Sequence, residues 1–117
     1  MWTDRLYISN VARDAAVTSW TAVVPSVRSF SNRFAPALVN SQGNLLIMGG
    51  WVEPGNVWVN DVWVTPDEGT SWRLMAKSSG FEPRRTATAV ATGRVVILGL
   101  GPNQTTAVAR SVWIGWF

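Results

Sequence analysis

The sequence predicts an all-β chain built from a repeated unit of short antiparallel strands, and three observations carry that expectation. Gly43-Asn-Leu-Leu-Ile-Met-Gly49 returns as Gly93-Arg-Val-Val-Ile-Leu-Gly99, about 50 residues later. Short runs of β-branched, aliphatic and Trp residues are bounded by Gly, Pro, Asn and Ser, and no helical apolar period competes with them. Finally, 117 residues with 47% hydrophobic and 15% charged side chains supply a core for about one domain.

The spacing that relates the two glycine-bounded runs also carries Trp63 onto Trp113. A spacing one residue longer carries Arg33 onto Arg84 and Val39 onto Val90, so one residue is deleted between Val39 and Gly43 in the later copy. A period near 50 residues made of short strands predicts β-propeller blades, each a four-stranded antiparallel sheet. The first complete unit spans residues 33–83, with strands expected over 35–40, 44–49, 60–65 and 71–75. Residues 84–117 repeat the first three of these, over 86–91, 94–99 and 111–115. Residues 1–32 hold Arg5-Leu-Tyr-Ile-Ser and Ser19-Trp20-Thr, which match the third and fourth strands of a preceding unit. One complete blade is thus flanked by two partial ones, not a propeller closed by itself. Either further blades complete it, the favoured reading, or identical copies do so in trans. A lone chain would leave unpaired sheet edges.

Composition narrows the chemistry. The chain has no Cys and no His, which removes disulfides, thiolate metal sites and the commonest general base. No cofactor and no enzymatic activity are expected, and a catalytic centre would have to be supplied by further blades. The net charge of +3 comes from basic residues spread singly except for Arg84-Arg85, not from the concentrated stripe a nucleic-acid binder needs. No apolar run approaches membrane-spanning length, and no signal peptide stands in the sequence.

Pro83-Arg84, Thr86-Ala-Thr-Ala-Val90 and the following Gly93–Gly99 run resemble the start of a kelch-type blade. Gly49-Gly50, Asn60-Asp61-Val62-Trp63 and Trp72 complete that pattern in the first unit. The later unit departs from it, with Leu100 for the second glycine and Arg110-Ser111 for Asn60-Asp61. Thr65-Pro-Asp67-Glu-Gly69-Thr-Ser-Trp72 also resembles the Asp box of sialidases and other propellers. In that turn Asp67 is expected to accept backbone N–H bonds, Gly69 to take positive φ and Trp72 to fill the space beneath. Both resemblances imply a propeller, and the second raises a carbohydrate-binding or sialidase-like alternative. A single Tyr with no Glu brought to it argues against the hydrolase. The kelch likeness also covers oxidases of the galactose-oxidase kind, whose copper ligands include His, absent here.

Eight Trp require either a core or an interface. Trp20, Trp63, Trp72 and Trp113 fall on strands and are expected in the core. Trp51 and Trp58 flank Glu53-Pro-Gly-Asn56 in a loop, where they either meet a partner or fold onto a neighbouring blade. Arg33 and Arg84 either face a ligand or bond loop carbonyls where blades meet. Asn103-Gln104-Thr105 is an N-glycosylation acceptor pattern and suggests an extracellular chain. The favoured function is a structural or protein-interaction module. Its partners would be a protein, the remaining blades or identical copies, with a glycan under the alternative.

Overall fold

The computed structural model describes residues 6–10, 19–23, 30–31, 33–52, 55–99 and 112–116, and among them the chain is all-β and antiparallel. Among the described residues ten strands form three sheets: β1 (Leu6–Asn10), β2 (Ser19–Val23), β3 (Arg33–Phe34), β4 (Ala37–Ser41), β5 (Asn44–Val52), β6 (Val57–Thr65), β7 (Arg73–Ala76), β8 (Thr88–Thr92), β9 (Val95–Gly99) and β10 (Val112–Trp116). The first two pair as a hairpin, β8, β9 and β10 form a three-stranded meander, and the remainder form the central sheet.

In the central sheet β3 and β4 pair with opposite ends of β5, followed by β6 and β7. The strand expected over 35–40 therefore begins only at Ala37, and β3 precedes it as a strand the sequence did not predict. Ala35 takes φ 53° and Pro36 has no N–H to donate, so the ladder breaks between Phe34 and Ala37. The same interruption displaces β8, which begins at Thr88 and not at Thr86, because Thr86 takes φ 56°. β7 begins at Arg73 and not at Ser71, since both Ser71 N–H and Oγ are held by the carboxylate of Asp67.

Alternation along β5 sends Leu46 and Met48 to one face of the central sheet and Ile47 to the other. The first face meets β8 and β9 in a shared core of Ala37, Val39, Leu46, Met48, Val64, Phe81, Val96 and Leu98. Ile47 packs with Phe30 and Trp72, whose rings meet edge to face at 4.9 Å. Trp72 is buried and Trp63 half-buried, while Trp113 is exposed, contrary to its expected place in the core.

The β4–β5 and β8–β9 hairpins turn differently. Ser41 pairs with Asn44 around Gln42 and Gly43, both at positive φ, whereas Thr92 pairs with Val95 around Gly93 and Arg94, of which only Gly93 has positive φ. Gly93 thus stands at the first turn position and Gly43 at the second. That slip of one residue reverses the faces of β8: Val39 is buried, but Val90, its counterpart in sequence, is 57% exposed. Among the described residues no helix is long and apolar enough to cross a membrane.

Candidate functional site

The candidate site lies at the far end of the β5–β6 hairpin. Both strands run longer than the sequence predicts, so Trp51 and Trp58 sit in the ladder directly opposite each other, not in a loop. Cross-strand aromatic pairs of this kind stabilise a hairpin by roughly 0.2–1 kcal/mol. Phe34 pairs with Trp51 on the other side, their rings nearly perpendicular with centroids 6.4 Å apart. Three aromatic residues from β3, β5 and β6 are thereby set in a row.

Arg85 enters this row from the segment before β8. Its guanidinium carbon lies 5.2 Å from the ring centre of Trp58, 5.3 Å from that of Trp51 and 6.0 Å from that of Phe34. Cation–π contacts of this geometry are worth roughly 0.5–2 kcal/mol each, more as water is excluded. Neither Phe34 nor Arg85 stands out in the sequence as a site residue. The available signal was the spacing that relates Arg33 to Arg84, since it also carries Phe34 onto Arg85.

The hairpin closes through Gly55 and Asn56, at φ 98° and 52°. Asn tolerates the left-handed region, which accounts for Asn56 as a turn residue on the exposed tip. Glu53 lies outside the described residues, as does Asn103.

Arg33 is withdrawn from this surface. It is buried, with Nη1 donating to Gly49 O at 2.8 Å and to Asp61 Oδ1 at 2.7 Å, and Nη2 donating to Asp61 Oδ2 at 3.0 Å. Asp61 Oδ2 also accepts from the indole N–H of Trp63 at 2.8 Å. Arg84 is buried as well; its Nε donates to Glu82 O at 3.3 Å, and its own carbonyl accepts from Gly50 N–H at 2.8 Å. The two arginines therefore converge on Gly49-Gly50, at the bulge that interrupts the β5–β6 register. Only glycine fits there: a Cβ on Gly49 would stand 2.9 Å from Arg84 O.

Asn60 plays a part the sequence did not reveal. Its Nδ2 donates to Ser79 O and Phe81 O at 2.8 and 2.9 Å, drawing the loop after β7 across β6. At the opposite end of β6, Asp67 accepts from Ser71 N–H, Ser71 Oγ and Thr65 Oγ1 at 2.9, 2.6 and 2.8 Å. Gly69, at φ 91°, donates its N–H to Thr65 Oγ1. These bonds to Ser71 and Thr65 hold the Asp67 carboxyl below its ordinary value.

An apolar cleft of about 370 Å³ lies between the two larger sheets, lined by Met48, Phe81, Val96, Leu98, Trp113 and Ile114 among others. No protein-family model matches the chain, and no curated protein is significantly similar to it.

Proposed function

We propose that the chain is a non-catalytic structural and protein-interaction module, a segment of a kelch-like β-propeller that presents the β5–β6 hairpin surface to a partner in an extracellular assembly. One observation carries this reading. The central sheet packs one face on β8 and β9, and its other face carries Phe30 and Trp72 but leaves Leu38 and Leu74 48% and 40% exposed; the outer face of the β8–β9–β10 sheet is barer still, with Val90, Val112 and Ile114 57%, 59% and 63% exposed. Val90 and Ile114 each stand opposite Ile97, from either side, so these side chains form a continuous apolar row. A face of this composition calls for another sheet upon it, as successive blades provide.

The occupant is a further blade of the same propeller or an identical copy. Both carboxylate oxygens of Asp67 are engaged by Ser71 and Thr65, which supports a structural turn over a sugar-binding one. Native mass spectrometry with ultracentrifugation tests the module. Association of the isolated chain through the outer face is expected, and a stable monomer that binds no hydrophobic dye would sink the reading.

A further inference from the structure

Arg85 differs from the other two arginines of this region. Arg33 and Arg84 are buried against oxygen acceptors, whereas Arg85 is partly exposed, and among the described residues it makes neither a hydrogen bond nor an ion pair. Its Nε is buried without an acceptor, within a cluster of three aromatic rings. The three ring centres stand 5.2, 5.3 and 6.0 Å from the guanidinium carbon, and among the described residues the two terminal nitrogens have no acceptor. Because the rings hold the group in place, little side-chain freedom remains to be lost when a ligand arrives.

We propose that Phe34, Trp51, Trp58 and Arg85 form a carboxylate-binding site that takes an Asp or Glu side chain of a protein partner, end-on against the Arg85 fork. The inference rests on the interaction-module reading and names the chemistry of its partner. A single guanidinium among neutral rings matches the one charge of a carboxylate, and two parallel N–H···O bonds match its geometry. A phosphate dianion would call for further cations. The exposed Phe34 at the edge of the row gives an apolar shoulder suited to the residues flanking an acidic side chain. The guanidinium already covers the indoles that a sugar ring would otherwise stack on.

The test is an NMR titration of the full chain with two end-blocked tripeptides, Leu-Glu-Leu and Leu-Gln-Leu, following the Arg85 Nε–Hε and Trp58 indole N–H signals. Saturating shifts are expected with the Glu peptide, at least tenfold weaker binding with the Gln peptide, and a loss of fivefold or more for Arg85→Lys, which keeps the charge but lacks the fork. Equal binding of the two peptides, unmoved Arg85 signals, or tighter binding of N-acetylneuraminate or inorganic phosphate would overturn the proposal. The peptide comparison needs no variant, so it stands even where a substitution prevents folding. Native mass reads the module independently: a monomer with saturating Arg85 shifts would retain the site and reject the propeller.

Discussion

Arg33 and Asp61 form the most enclosed ion pair among the described residues, with the guanidinium side chain only 3% exposed. Removing one member of such a pair leaves the other charged, desolvated and short of partners. Asp61→Asn is therefore expected to destabilise the fold by roughly 3 kcal/mol, seen as a lower midpoint in guanidinium chloride at unchanged slope. The exposed Asp67 acts through pH instead. Its folded carboxyl titrates below the unfolded one, so its contribution is full above the ordinary aspartate range and is lost as pH falls through the lowered value. Urea denaturation between about pH 2 and 6 should show this acid-side loss in the native chain and a shallower one in Asp67→Asn. The residue types at Arg33, Asp67 and Gly69 were legible because each serves a local or repeated geometry. The pairing of Arg33 with Asp61 was not, since it depends on how β3 lies across β5 and β6.

At the scale of elements, hairpins and bulges decide where side chains go. Gly49 and Gly43 both have positive φ, but a Cβ on Gly49 would meet a carbonyl oxygen at 2.9 Å and one on Gly43 would meet nothing within 4 Å. Gly43→Ala should cost roughly 1 kcal/mol from backbone strain alone, and Gly49→Ala markedly more because the close approach of Arg84 must also open. Chemical denaturation of the two variants separates these contributions. Strand identities were legible from apolar runs, and the order of pairing followed from their short connections. Strand ends were less so. Trp51 and Trp58 looked like loop residues because Gly49-Gly50 and the Gly55-Asn56 turn read as one break, whereas a glycine bulge lets β5 continue past it. The one-residue slip at Gly93 was hidden for a related reason: glycine satisfies either position of a tight turn, so the sequence match could not tell which it filled.

Across the whole molecule, the outer face of the β8–β9–β10 sheet carries the most exposed large apolar side chains among the described residues, Val90, Val112 and Ile114. Replacing Val90 and Ile114 together by Lys puts two like charges on that face, on the strands either side of β9, and association should fall by tenfold or more in ultracentrifugation while the far-UV spectrum of a β-protein persists. An unchanged mass distribution would place the contact elsewhere. The seam between the two larger sheets has a different character. Gly50 N–H reaches Arg84 O and Thr86 N–H reaches Ala35 O, each at 2.8 Å, and Ser41 Oγ donates to Gly93 O at 2.7 Å. Because the first two of these bonds are main chain to main chain and belong to no strand ladder, the amides of Gly50 and Thr86 act as a clock for separation of the sheets. Their deuterium exchange would quicken when the sheets part, even while the ladders within each sheet remain protected.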